Sequence, residues 1–179
     1  MKKLITLLFI VASAQTNAQT STTVVQTVDM HLVNVIKIKF DNTGTNVGNT
    51  VNLSLDNMNE LVNGVTSANQ NLVVASTKPF NVNVKSASPT FSYSGSSQQN
   101  NVMNIDDVLM LRVNQNQTGG NIGSGYSAFN PITYNAKNVI NGGDNGQNRQ
   151  FRIKYKAVPG MGYAAGNYLA SIIYTATQQ

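Results

Sequence analysis

Few residues in this sequence have the chemistry for acid–base or nucleophilic catalysis. His31 is the single histidine, and the acids number seven. Strand alternation places His31 opposite Met30 and Leu32, as expected for a solvated residue, and it points the adjacent Asp106 and Asp107 to opposite faces. Paired carboxylates for glycoside hydrolysis need two acids that face one cleft, and no serine lies in a nucleophile elbow. We therefore predict no catalytic residue and no enzymatic activity.

Metal and cofactor sites have no better support in the sequence. The chain has no cysteine, which excludes thiolate metal sites and cysteine nucleophiles. The segment GGDNGQN (142–148) has one carboxylate, whereas a calcium loop uses several oxygen ligands. The glycines of GMGYAAGNY (160–168) lack the strand-then-helix context of a phosphate-binding loop. We predict no metal and no cofactor.

Aromatic residues are the candidates for ligand contact. Tyr126, Phe129 and Tyr134 lie in a long Gly/Asn-rich stretch, residues 114–148. Exposed rings beside Asn and Gln suit stacking on a sugar or contact with a protein, because such rings combine an apolar surface with a polar setting. The other interpretation is that these rings close the ends of the fold. Both interpretations stay open at this point.

Residues 1–18 have the pattern of a secretory signal peptide. Two lysines precede the apolar run LITLLFIVASA (4–14), which has the length of an h-region. This run is shorter than the roughly 20 apolar residues of a spanning helix. Cleavage after Ala14 or Ala18 fits, and the polar stretch before Ala18 favours the second. We expect an exported protein at the cell surface or outside the cell, or else in the periplasm, with no transmembrane segment after cleavage.

The remaining residues, 19–179, suit one domain that folds on its core without disulfides. Charged residues make up 11% of the chain, less than half of the usual fraction of about 25%. The formal charge of +5 includes the two lysines of the leader, and without them ten basic and seven acidic residues leave +3. Because no basic cluster with interleaved aromatics is present, we predict no nucleic-acid partner.

Almost every apolar segment alternates with period two, which indicates half-buried strands. We predict strands at 24–40 (continuous with a bulge, or two strands), 51–55, 71–76, 80–86, 90–95, 107–113, 151–157 and 167–177. Asp56 to Gly64 is the one place for a helical turn, with Asp56 as N-cap and Gly64 as C-cap. Gly/Asn/Ser turns separate these segments, and no repeat is present. The pattern predicts an all-β fold, a single antiparallel immunoglobulin-like β-sandwich, with a closed barrel as the alternative.

The two terminal segments suggest a role in assembly. The extension 19–32 is polar and then alternating, so it suits a strand that is given to a neighbour's sheet. The apolar positions of this assembly strand are Val24, Val28, Met30 and Leu32. The closing strand would lie in the core or receive that strand at an edge. Its corresponding positions are Tyr168, Ala170, Ile172 and Tyr174.

The segment FRIKYKAVPGMGYAAGNYLASIIYTATQQ (151–179) combines a strand, a Pro-Gly loop, the tripeptide G-N-Y and a terminal strand. It resembles the C-terminal hairpin of bacterial surface β-sandwich proteins of the fimbrial-subunit-like, spore-coat-U-like and WxL-like types. The upstream KPFNVNVKSASPTFSYSG (78–95) resembles their middle strands, and the leader ending in NAQT is similar to those of exported Bacteroidetes proteins. The resemblance covers the C-terminal half. The Trp of the WxL signature and the Cys pair of many pilins are missing.

This resemblance implies a non-enzymatic structural or adhesive surface protein, in particular a pilus or filament subunit that assembles by strand addition. Its partners would be further copies of itself or other surface subunits. The alternative function is a non-polymerising module that binds a glycan or cell-wall polymer through Tyr126, Phe129 and Tyr134.

Overall fold

The structure is a computed structural model, which describes residues 22–41 and 50–179. The chain divides into two units, residues 1–32 and 33–179. The predicted leader and the first residues of the extension, 19–21, lie outside the described residues. All helices and strands found in the described residues belong to the second unit.

Twelve strands and two short helices are present in the described part of the chain. The first six strands are β1 (Ile36–Phe40), β2 (Val65–Thr66), β3 (Gln70–Ser76), β4 (Phe80–Ser86), β5 (Ser92–Ser94) and β6 (Leu109–Gln117). The other six are β7 (Asn121–Ile122), β8 (Asn130–Pro131), β9 (Lys137–Gly143), β10 (Gly146–Ala157), β11 (Asn167–Leu169) and β12 (Ile172–Gln178). The helices are α1 (Met58–Asn63) and α2 (Ile105–Val108).

The strands form two larger sheets and one small one. Sheet A has the order β1–β3–β10–β6–β8, with β2 paired to β10, and sheet B has the order β12–β4–β9–β7. Strands β5 and β11 pair with each other. Every pairing is antiparallel. The predicted all-β antiparallel sandwich is confirmed.

Period-two alternation builds the core between the two sheets. Strand β4 buries Phe80, Val82 and Val84, each at most 1% exposed, and β10 buries Phe151 and Ile153 to the same degree. Full burial of one such side chain stabilises the fold by roughly 1.5–3 kcal/mol. The predicted strands 71–76, 80–86 and 151–157 are confirmed within β3, β4 and β10.

The first predicted strand is wrong over most of its length. Residues 22–35 form no strand, and β1 begins at Ile36. The pairing of β1 with β3 ends there because β3 itself ends at Ser76, which pairs with Ile36. One more hydrogen bond follows, from Thr77 N to Val35 O at 3.0 Å, before the chain turns at Pro79.

The predicted strand 51–55 is also not a strand. Val51 and Leu53 pack against the core as the alternation requires, but no neighbouring strand pairs with them in the described residues. The alternating pattern therefore predicted the inward face and not the hydrogen bonding.

Three further elements differ from prediction. The segment 107–113 begins as helix α2 and becomes β6 only at Leu109, and the closing strand is divided into β11 and β12. Strand β9 lies in the Gly/Asn-rich stretch 114–148, in which no strand was predicted. Its apolar residues Val139 and Ile140 are adjacent and both fully buried, because register shifts between β4 and β9 interrupt the alternation.

The helical turn within residues 56–64 is confirmed as α1, but the N-cap is Asn57 and not Asp56. Asn57 Oδ1 accepts from Glu60 N at 3.0 Å, and Glu60 Oε2 accepts from Asp56 N at 2.7 Å. This reciprocal arrangement satisfies amide donors at the helix start. The predicted C-cap is confirmed, since Gly64 has φ +79°, which favours glycine.

Candidate functional site

Strand β12 is an edge strand of sheet B in the described residues. Ala87 N donates to Ser171 O at 2.8 Å, and Gln179 N donates to Pro79 O at 2.9 Å. Backbone groups alternate in direction along an antiparallel strand, so the odd-numbered residues of β12 bond to β4. The backbone N–H and C=O groups of the even-numbered residues therefore point to the open edge.

Strand β1 is the corresponding edge strand of sheet A, and it lies beside β12. The ring of Phe40 meets the ring of Tyr174 edge-on, with centroids 6.0 Å apart. At the other end of the strands, the side chain of Gln178 donates to Val35 O at 2.9 Å. The two sheet edges are thus joined at the Gln178 end of β12.

An apolar cavity of about 900 Å³ lies beyond the other end of β12. Segments 50–56 and 159–170 supply most of its lining, together with the core residues Met103, Leu109 and Tyr155. Its volume is near the upper end of the range for ligand pockets, roughly 300–1,000 Å³.

The rim of the apolar cavity is itself apolar. Met161 and Leu169 line it and are 64% and 69% exposed. Ile172, the first residue of β12, also lines the cavity. An exposed apolar rim that continues into an unpaired strand edge is typical of a surface used for interaction.

Aromatic residues hold the loop that borders the cavity. Tyr168 contacts Tyr93, with ring centroids 5.0 Å apart, and Phe91, at 6.3 Å. The hydroxyls of Tyr93 and Tyr168 donate to Ala165 O and Ala164 O, both at 2.9 Å. Burial, followed by the neighbouring Tyr93 and Tyr163, raises the pKa of Tyr168.

A second pair of tyrosines joins the two sheets. Tyr155 belongs to β10 of sheet A, and Tyr174 belongs to the edge strand β12 of sheet B. The hydroxyl oxygens of Tyr155 and Tyr174 lie 2.8 Å apart. Burial raises the pKa of Tyr155 to about 12, against a smaller lowering by the hydrogen bond to Tyr174. Burial, followed by the neighbouring Tyr155, raises the pKa of Tyr174 well above its usual value.

The structure gathers the four residues that the sequence singled out in the closing strand. Tyr168, Ala170 and Ile172 line the apolar cavity, and all four pack against the core as partly buried residues. The sequence did not predict that segments 50–56 and 159–165 line a cavity. For the first segment, the alternation of Leu53 and Leu55 was the available signal.

The predicted assembly strand belongs to the other unit of the chain. Residues 22–32 form neither helix nor strand. Its four apolar positions are largely solvent-exposed, at 91% for Val24, 76% for Val28, 75% for Met30 and 80% for Leu32. A period-two apolar pattern is thus left without a buried face.

The predicted ligand contacts do not form one surface. Tyr126 is fully buried, and its hydroxyl donates to Pro131 O at 3.4 Å. The guanidinium of Arg112 lies over the Phe129 ring, 4.9 Å from its centroid, while Tyr134 is 55% exposed. The expectation of ligand contact is therefore wrong for Tyr126, whose ring is buried in the core.

In residues 22–41 and 50–179, no three His, Asp or Glu side chains gather in a way that could hold a metal ion. Over the same residues, the helices are too short to span a bilayer. No protein-family model and no curated protein sequence matches this chain.

Proposed function

We propose that this chain is an exported, non-enzymatic structural subunit that assembles by strand addition. Residues 24–32 of one copy pair with the open edge of β12 in the next copy, and their apolar side chains enter the apolar cavity. The observation that carries this proposal is an unburied alternating segment in a chain that also has, in its described residues, an unpaired strand edge beside an apolar cavity.

The added segment is longer than the strand with which it pairs. A strand rises about 3.3 Å per residue, so residues 24–32 extend over about 30 Å. The seven residues of β12 extend over about 23 Å by the same rise. Residues 24–32 are therefore long enough to span β12 and to continue past Ile172 to the cavity.

The choice of β12 over β1 rests on charge. Natural proteins protect exposed edges with charged residues, lysine above all. Lys37 and Lys39 are exposed on β1, whereas β12 has the sequence IIYTATQ without a charge. The edge of β12 thus lacks the protection that β1 has.

The added strand presents one apolar face. Val24, Val28, Met30 and Leu32 share that face, and Gln26 is its polar member. Each apolar side chain that becomes buried contributes roughly 1.5–3 kcal/mol. Main-chain hydrogen bonds to β12 add to this, as in other cases of strand addition.

Deletion of residues 19–30 tests the proposal. We expect a folded monomer that does not assemble, because the deletion removes the strand and leaves the sandwich intact. Sedimentation velocity and electron microscopy measure assembly, and the circular dichroism melting curve measures folding. Unchanged assembly of the deletion variant would overturn the proposal.

A matched pair of variants tests the face of the strand. Val28→Asp and Met30→Asp place charges on the apolar face, whereas Thr27→Asp and His31→Asp place them on the opposite face. We expect the first double variant to abolish assembly and the second to retain it. Equal effects of the two would show that charge alone, and not the apolar face, controls assembly.

A further inference from the structure

Six basic side chains lie on the outer face of sheet A, which we call the basic face. They are Lys37 and Lys39 of β1, Arg112 of β6, and Arg152, Lys154 and Lys156 of β10. They are six of the ten basic residues in 19–179. Their neighbours in sequence on β1 and β10 point inward, so alternation directs the cations outward.

The register of sheet A places like charges together. Lys154 pairs directly with Arg112, and Arg152 and Lys156 flank Lys154 on the same face of β10. The residues opposite Arg152 are Asn71 and Gln115, which are neutral. Like charges directly opposite each other destabilise a sheet. An anion bound on this face would relieve that repulsion.

The two lysines of β1 lie opposite apolar residues of β3. Lys37 pairs with Ala75 and Lys39 with Val73, so neither has an acid opposite it in the sheet. Asp41 follows β1 at the rim of this face, where its N–H donates to Asn71 O at 2.8 Å. The strands of sheet A carry these six cations and contain no acidic residue.

Four buried side-chain polar atoms lack a hydrogen-bond partner in the described residues; two belong to strands of the basic face, and Ser86 Oγ and Asn138 Oδ1 belong to sheet B. Arg112 Nε and Asn71 Oδ1 are buried without a hydrogen-bond partner. Arg112 Nη2 donates to Asn114 Oδ1 at 3.1 Å, and Asn114 in turn donates to Asn69 Oδ1 at 3.1 Å. Buried polar atoms normally have partners, so an exception calls for a bound group or water.

The outer face of sheet B is different in charge. There β12 presents Ile173, Thr175 and Thr177, and β4 presents Asn81 and Asn83 in register with the two threonines. Lys85 lies opposite Ile173 on the same strand pair. The positive charge is therefore concentrated on one side of the sandwich, and this asymmetry points to one anionic partner on that side.

We propose that the basic face binds an anionic polysaccharide through its carboxylate, sulfate or phosphate groups. Along β10, successive cations on one face are about 6.6 Å apart, so a linear polyanion lying along the strand meets three of them. Amide side chains of Asn71, Gln115 and Gln150 lie among the cations and can bond to sugar hydroxyls. This inference does not depend on the assembly proposal.

The same surface does not suit a single-stranded nucleic acid or a membrane. Single-stranded nucleic acids stack their bases on exposed aromatic rings, whereas the ring of Phe129 is covered by Arg112. Membrane-binding surfaces combine cations with large apolar side chains that insert into the bilayer. On this face the large apolar residues Val73 and Met110 are buried and half-buried, so neither projects as an inserting residue would, and the sugar polymer is the partner that we favour.

Binding to an immobilised sulfated polysaccharide, heparin, tests the proposal, with dextran as the neutral control. Biolayer interferometry of the purified protein at 50, 150 and 300 mM NaCl gives the affinity and its salt dependence. We expect binding to heparin and not to dextran, weakening steeply with salt because counterions are released. No binding to heparin at 50 mM NaCl would overturn the proposal.

A charge-matched pair of variants locates the site. Arg152→Gln, Lys154→Gln and Lys156→Gln together remove three charges from the basic face, and Lys78→Gln, Lys85→Gln and Lys137→Gln remove three from elsewhere. We expect at least a tenfold loss of affinity in the first and less than a twofold loss in the second. Equal losses would overturn the proposal, because net charge and not the face would then explain binding.

Two further probes decide the class of partner. An oligo(dT) of 30 nucleotides and vesicles of phosphatidylglycerol are compared with heparin at 150 mM NaCl. We expect heparin to bind at least tenfold more tightly than either. Tighter binding of the oligonucleotide or the vesicle would overturn the choice of a polysaccharide. Melting curves of both triple variants confirm that each is folded.

Discussion

At the scale of single residues, the paired hydroxyls of Tyr155 and Tyr174 connect stability to pH. Both groups keep their protons in the folded protein at a pH where an ordinary tyrosine, with a pKa of about 10, ionises. Above pH 10 the unfolded chain therefore binds fewer protons than the folded one. By linkage, the free energy of unfolding falls as pH rises through 10 toward 12.

We predict that Tyr155→Phe combined with Tyr174→Phe makes this alkaline loss of stability smaller. Urea unfolding at pH 8 to 11.5 measures it. The double variant keeps the aromatic packing and removes both ionisable groups, so its stability depends less on pH. A pH dependence equal to that of the unmodified protein would contradict the assignment.

Two tyrosines of the stretch 114–148 are expected to differ in how much they contribute to the free energy of unfolding. Tyr126 is fully buried and Tyr134 is 55% exposed. We expect Tyr126→Ala to lower the free energy of unfolding by about 3–5 kcal/mol, as for other large buried aromatics, and Tyr134→Ala to change it by less than about 0.5 kcal/mol. Urea unfolding distinguishes them, and similar losses would show that the two environments are alike.

At the scale of elements, proline distinguishes the two sides of β12. The N–H of Ala176 points to the open edge, whereas the N–H of Thr175 bonds to β4. Proline is tolerated in a strand only where its missing N–H is not needed. We therefore expect Ala176→Pro to remain folded but unable to assemble.

Thr175→Pro is the matched control for that variant. It leaves an acceptor on β4 unpaired, which costs about 1–3 kcal/mol, so urea unfolding should show it to be the less stable of the two. Sedimentation velocity measures assembly. Normal assembly of Ala176→Pro would show that the added strand does not use this edge.

At the scale of the whole molecule, the added strand can be supplied as a separate peptide. We expect the peptide TTVVQTVDMHL (22–32) to bind the deletion variant that lacks residues 19–30 and to raise its melting temperature. At a peptide concentration of 100 times Kd, the stabilisation is about 2.7 kcal/mol. A peptide with Asp in place of Val28 and Met30 is the control, and equal stabilisation by both would contradict the proposal.

How much of this could be read from the sequence depends on the element. Strands β4 and β10 were predictable, because each buries one face and exposes the other. Strand β9 was not, since its adjacent buried residues Val139 and Ile140 break the alternation. The alternating residues 24–32 have the pattern of a strand but no partner within the described residues, and pairing is a property of the fold.

The basic face, too, could be predicted from the sequence only in part. The sequence predicts that Lys154 and Lys156 point outward, but it does not predict that Arg112 lies directly opposite Lys154. That contact follows from the strand order of sheet A. The candidate ligand site failed at Tyr126 for a related reason: a Gly/Asn-rich stretch can still supply a core residue.

The pairing of β12 with β4 has a consequence for folding. Gln178 pairs with Phe80 and Ile172 with Ser86, so sheet B closes only after a loop of more than 80 residues has been brought together. Folds dominated by such distant pairings form slowly, in milliseconds to seconds. During that time the edge of β4 is bare, and the closing strand of a second chain fits it as well as its own. Rapid refolding at high concentration should therefore yield dimers with exchanged closing strands, which dilution would suppress.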